Sequence, residues 1–234
     1  SKNTIPLTPE QKKDTLTWAM ENFISGMMKA TKGKVKAWDV VNEPISGGDG
    51  NGDGYYDLWS TRNNQNSNHF YWQDYMGDED YVRTAIRLAR KHFEANGGNP
   101  SDLKLFINDY NLESDWDGNK KLKSMIHWVE VWEADGVTKV DGLGTQMHVA
   151  CYANESTQRS KERAVEEMYR LMAATGKLVR YDLYRCKWKR SGNREYDRSS
   201  TQSNGRLLHF HREEVFRNCS RKPTIRHYPL ESYR

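Results

Sequence analysis

Glu43 stands between Asn42 and Pro44 at the end of an apolar run, Val35 to Val41, that is rich in β-branched and aromatic residues. Such a run reads as a short buried strand. Pro44 stops it and biases Glu43 toward an extended backbone. A carboxylate fixed at the end of a buried strand is poorly solvated, which raises its pKa and suits it to give or take a proton near neutral pH. A salt-bridged strand-end glutamate fits the same residues. Two more polar clusters follow apolar segments: Asn108-Asp109-Tyr110-Asn111, after Leu103 to Ile107, and Gln146-Met147-His148, in the segment that begins at Val140. Taken singly, His148 reads as a satisfied core histidine and Asn108 and Asn111 as turn formers. A fourth cluster, Asp49, Asn51, Asp53 and Asp57 among glycines, has the start of a calcium loop, but position twelve is Ser60 where a bidentate glutamate is wanted. A Gly-rich insertion fits better.

Periodicity supplies the elements that would hold these groups. Thr8-Pro9-Glu10-Gln11 has a cap, a proline at the first helical position and the glutamine of a capping box. Leu16, Met20, Phe23, Ile24 and Met27 follow at helical spacing, and Gly33 closes the segment. Residues 45–77 read as a long polar loop. Tyr55, Tyr56, Trp59, Phe70, Tyr71 and Trp72 in it either line a groove or pack on one another. Further helices are predicted over Asp78 to Asn96, Asn119 to Ala134 and Lys161 to Thr175. A last strand starts at Lys177. Helices alternating with short strands imply parallel β-structure with right-handed crossovers. No Gly-rich phosphate fingerprint follows a strand, which disfavours nucleotide-binding sheets. The polar clusters fall just after strands, the active-site face of a (β/α)₈ barrel. The expected fold is therefore an α/β class (β/α)₈ TIM barrel.

Four stretches also resemble one family in order. Trp38-Asp39-Val40-Val41-Asn42-Glu43-Pro44 is similar to the acid/base motif of the family 10 glycoside hydrolases, the endo-1,4-β-xylanases. Phe106 to Asn111 resembles the family's next strand, and Gly142-Leu143-Gly144-Thr145-Gln146-Met147-His148 the one after. Lys177-Leu178-Val179-Arg180 resembles the start of the nucleophile strand. The resemblance covers residues 5–180, from the helix before the family's fourth strand into its seventh, so the barrel is expected to be incomplete, with exposed strand edges and apolar helix faces. It implies Glu43 as general acid/base of a retaining xylanase and Asn42 as a partner of the sugar 2-hydroxyl. It implies His148, with Gln146, as the support of the nucleophile, and Asn108 and Tyr110 at the leaving-group side. It implies xylan or xylo-oligosaccharides as partners, no cofactor, and an extracellular or periplasmic site of action, although the chain carries no signal peptide. A cellulase-like barrel glycosidase is a further reading.

The resemblance breaks after Arg180. The family continues Ile-Ser-Glu-Leu-Asp, with the glutamate as nucleophile, where this chain has Tyr181-Asp182-Leu183-Tyr184-Arg185. Ungapped, Leu183 stands at the nucleophile position; with one deletion Asp182 does, one methylene short. A chain without that glutamate could equally be an inactive fragment that binds xylan weakly. Two domains are expected: the partial barrel, 1–180, and an aberrant basic tail, 181–234, poor in order. The tail has no Ala or Met and holds 13 of the 36 Lys and Arg but 6 of the 32 Asp and Glu. Its sparse apolar residues cannot bury a core. Shifting the frame by one base permits an amphipathic helical string for Leu208 to Arg217, so the tail reads as translated out of frame. The rival is a basic arm, but its charges are scattered and form no face, so no nucleic-acid partner is expected. No apolar run approaches the roughly 20 residues that span a bilayer. Cys151, Cys186 and Cys219 have no metal-ligand spacing.

Overall fold

The computed structural model describes residues 6–63, 69–152, 154–181, 187–189 and 195–196. Helix α1 (Pro9–Thr31) opens on the capping box: Thr8 accepts from the Gln11 N–H, and the Gln11 side chain accepts from the Thr8 N–H. It ends at Lys32, in the left-handed region, whose N–H returns to the Met28 carbonyl. Strand β1 (Ala37–Asn42) follows, then a long loop that contains the single-turn helix α2 (Gln73–Met76). Helix α3 (Asp80–Ala95), a 3₁₀ turn (Pro100–Asp102) and strand β2 (Lys104–Asp109) lead to helix α4 (Lys120–Glu133) and strand β3 (Gly142–Thr145). Strand β4 (Ala150–Tyr152), helix α5 (Glu155–Ala174) and strands β5 (Leu178–Tyr181), β6 (Lys187–Lys189) and β7 (Glu195–Tyr196) complete the described elements.

The main sheet has the order β1-β2-β3-β5, parallel at every step. Each neighbouring pair is joined through a helix, and the result is an incomplete (β/α)₈ barrel. A second sheet joins β4, β6 and β7. No helix among the described residues is long and apolar enough to cross a membrane.

The helices cover one face of the main sheet. Val82, Ile86 and Phe93 of α3, Leu122, Met125 and Trp132 of α4, and Met168 and Met172 of α5 pack against Leu105, Ile107 and Leu143 from the strands. Each large side chain buried there contributes about 1.5–3 kcal/mol. Arg83 reaches from α3 to the carbonyls of Val131 and Trp132 and satisfies the C-terminus of α4. The opposite face carries charge. Arg180 of β5 reaches Asp39 of β1 at 3.2 Å across the two strands between them. Glycine in β3 makes room: a Cβ on Gly142 would lie 2.3 Å from the Phe106 ring, and one on Gly144 2.6 Å from the Asn108 side chain.

Several sequence expectations are corrected. Strand β1 is half-buried rather than buried, and Val35 lies exposed before it. On α1 Met20 is buried, but Phe23, at the edge of an open cleft, is 70 % exposed and Met27 40 %. Helix α5 starts at Glu155 rather than Lys161: Asn154 caps it through the Thr157 N–H, and its first turns carry no apolar residue for periodicity to register. Strand β4 was not expected. The proposed tail, 181–234, falls largely outside the described residues; Tyr181 ends β5, and β6 and β7 pair beyond it.

Candidate active site

Two irregularities at the end of β1 build the site. Asp39 pairs with Phe106 and Val41 with Ile107, so Val40 is an extra residue in β1. Plain alternation from Trp38, which packs on the core, would send Asn42 to the helix side. The bulge moves Val41 there instead and brings Asn42 to the face that carries Asn108. The second irregularity is Glu43. It is not extended, as its place before proline implies, but has φ +54°. Its N–H donates to the Asn108 carbonyl at 2.7 Å, which extends the β1–β2 ladder by one bond. The left-handed residue then turns the carboxyl toward the strand ends rather than the core. For a non-glycine residue before proline this conformation is strained and must be held by its surroundings.

The polar groups form one hydrogen-bonded chain across β1, β2 and the end of β3. Gln146 Nε2 donates to Glu43 Oε1 at 2.6 Å and lies 3.2 Å from Asn42 Oδ1. Asn108 Nδ2 donates to that same oxygen at 2.9 Å. His148 Nε2 is 2.9 Å from Gln146 Oε1. Because the Gln146 amide nitrogen faces the carboxylate, its oxygen is the acceptor and His148 Nε2 is the donor to it. Asn42, Glu43, Asn108, Gln146 and His148 thus meet in one network. Tyr110 joins them across a cleft of about 560 Å³ that Glu43 and Tyr110 both line. The aromatic loop divides its work. Trp59, Phe70, Tyr71 and Trp72 line the same cleft. Tyr55 stacks on His127 at 4.0 Å, and Tyr56 is buried with its hydroxyl donating to Asp117.

Asp182, the candidate nucleophile, lies outside the described residues, as does Leu183. The calcium-loop side chains are otherwise engaged. Asp49 accepts from the N–H groups of Gly52 and Gly54 and pairs with Lys120 at 2.8 Å. Asp57 accepts from the Gly50 N–H, Asn51 donates to Asp53, and Ser60 at position twelve is fully buried and donates to Asp74. Among the described residues no three metal-ligating side chains gather. The stretch folds as a Gly-rich turn on its own backbone.

Three titratable groups beside the site were not singled out from the sequence. Asp109 is fully buried; burial pushes its carboxyl up, against the pull of Lys121, which pairs with it at 2.8 Å. Lys121 is itself buried, with its ammonium 3.4 Å from the centre of the Tyr110 ring. The signal was present: Asp109 shares the inward parity of Leu105 and Ile107, and Lys121 lies one turn before Met125 on the buried stripe of α4. Glu113 is pushed up by burial, with His148, Lys121 and Lys161 pulling the other way. Its Oε2 is buried with no hydrogen-bond partner among the described residues.

Chemically, the arrangement offers one carboxyl held by an amide at the mouth of an aromatic cleft. Among the described residues Gln146 is the one donor to it, so the carboxyl can exchange a proton with a bound group. The family described as Glycosyl hydrolase family 10 matches residues 3–180. Endo-1,4-beta-xylanase C of Paenibacillus barcinonensis is 34 % identical over 178 residues, which are 73 % of this chain and 13 % of that protein. Endo-1,4-beta-xylanase 2 of Claviceps purpurea is 38 % identical over 139 residues, 58 % of this chain and 34 % of that one. The solved structure of a family 10 protein from Paenibacillus barcinonensis superposes with a TM-score of 0.53 at 29 % identity and covers 86 % of this chain and 50 % of that one. This chain therefore spans half or less of the length of these relatives.

Proposed function

The chain belongs to glycosyl hydrolase family 10, and from that premise we propose that it carries the acid/base side of a retaining endo-1,4-β-xylanase site. Glu43 protonates the glycosidic oxygen as the bond breaks, then takes a proton from the water that releases the product. Asn42 meets the sugar 2-hydroxyl, a contact that strengthens in the oxocarbenium-like transition state. Gln146 and His148 hold the network on which a nucleophile would rest, and Tyr110 and Asn108 border the leaving-group side. The second carboxylate must stand about 5–5.5 Å from the first, and Asp182 is the candidate for it. Double displacement on two carboxylates calls for no metal or cofactor. The substrate is xylan or xylo-oligosaccharide. By its family likeness the chain acts in the extracellular space or periplasm. In this reading residues 1–180 form a partial catalytic barrel and 181–234 a distinct basic tail, at whose start Asp182 lies.

One observation carries the proposal: the Glu43 carboxyl, freed from the core by a left-handed residue, bonds to Gln146 within a chain that includes Asn42, Asn108 and His148. Incubation of the purified chain with xylan tests it. Released xylo-oligosaccharides that fall about 10²–10⁴-fold with Glu43→Gln are expected. Release that is unchanged in Glu43→Gln refutes the assignment.

A second reading has its own support. Leu183 occupies the family's nucleophile position in ungapped register. A chain without that carboxylate would bind xylan without cleaving it. Retarded migration in xylan-containing native gels, with no product released, would select this reading.

A further inference from the structure

A strained residue keeps its conformation only where its neighbours over-determine it, and the neighbours of Glu43 are specific. On its own N–H side the bond runs to the Asn108 carbonyl. Pro44 has no N–H to give. The next donor is the Ile45 N–H, which goes to Asp109 Oδ2 at 3.0 Å. Consecutive residues of β2 therefore clamp both sides of the proposed acid/base. The other oxygen of Asp109 accepts from the Tyr110 N–H at 2.8 Å and from Lys121 at 2.8 Å. Lys121 in turn lies over the Tyr110 ring.

We propose that the buried Asp109–Lys121 pair is a positioning device for the site. Asp109 clamps the backbone beyond Glu43 so that the carboxyl stays on Gln146, and Lys121 fixes the Tyr110 ring on the other side of the cleft. The role rests on the acid/base reading of Glu43. Neither residue touches the reacting atoms. A purely structural ion pair is the alternative, and the molecule supplies a control for it. Asp141, before β3 at the opposite end of the sheet, is also buried. It accepts from a backbone N–H, that of Leu105 at 3.0 Å, and pairs with Arg90 at 2.9 Å. It has the same chemistry without Glu43 beside it.

The test compares Asp109→Asn, Lys121→Met and Asp141→Asn in the full chain. The first readout is nuclear magnetic resonance of the Gln146 side-chain amide and the Ile45 backbone amide. Both resonances are expected to move in Asp109→Asn and Lys121→Met and to stay in Asp141→Asn. Equal movement in all three, or none in Asp109→Asn, overturns the proposal. The second readout is the leaving group. Asp109→Asn is expected to slow hydrolysis of xylan about a hundredfold. It should spare kcat/KM for an aryl xylobioside with an acidic phenol, which departs without protonation. On that substrate kcat and KM fall together, because Glu43 is also the base of the second step. Equal loss of kcat/KM on both substrates overturns it. If the unaltered chain cleaves neither substrate, the enzymatic reading fails while the resonances still decide the positioning role. Where a single variant does not fold, the double variant Asp109→Asn/Lys121→Met, which leaves no unpaired buried charge, carries the same resonance readout.

Discussion

Glu43 shows how a side chain is placed by its own backbone. Its apolar predecessors and its proline imply extended structure, yet φ +54° is what turns the carboxyl to Gln146. Glu113 makes the energetic counterpoint. Burial raises its carboxyl above the ordinary range. A carboxyl raised on folding lends stability below its unfolded pKa of about 4.3, and that stability is lost as pH rises through the folded value. At neutral pH its ionisation therefore works against the fold. Glu113→Gln is expected to raise the urea midpoint at pH 7, with the gain vanishing below about pH 4. A pH-independent difference between the two proteins would refute this.

Strand β1 shows what one inserted residue does. Val40 shifts the register so that Val41 faces the helices and Asn42 faces Asn108. Removing Val40 takes out that extra residue, so Asp39, Val41 and Asn42 alternate plainly and Asn42 still faces Asn108. Such a variant should keep both its far-ultraviolet circular dichroism and its affinity for xylan, since no side chain beyond the bulge changes face. Weakened binding in native gels would show that the bulge shapes the site by more than its register.

The molecule as a unit presents an open side. Among the described residues β1 has a neighbour on one edge only, and Trp18 and Phe23 of α1 stand 66 % and 70 % exposed. Exposed apolar surface next to an open strand edge favours association. Phe23→Gln is expected to lower concentration-dependent light scattering while changing stability by less than about 0.5 kcal/mol, as exposed substitutions do. A large loss of stability would mean that Phe23 packs in solution against something beyond its present neighbours.

Much of this was legible in the chain itself. The capping box at Thr8, the stripes of α3 and α4 and the polar residues just past each strand declare alternating helices and parallel strands, because apolar periodicity and capping chemistry act over a few residues. The short stretch around Glu43 was equally readable as a candidate acid/base. The rest depended on residues distant in sequence. The bulge at Val40 is defined only by its register against β2. The left-handed turn at Glu43 is held by Asn108 and Asp109, some 65 positions later. The burial of Asp109 beside Lys121 follows from α4 packing over β2. Local pattern selects elements and residue types, but the direction of a side chain at a strand end is set by whichever distant partners satisfy its backbone, and those exist only once the sheet has formed.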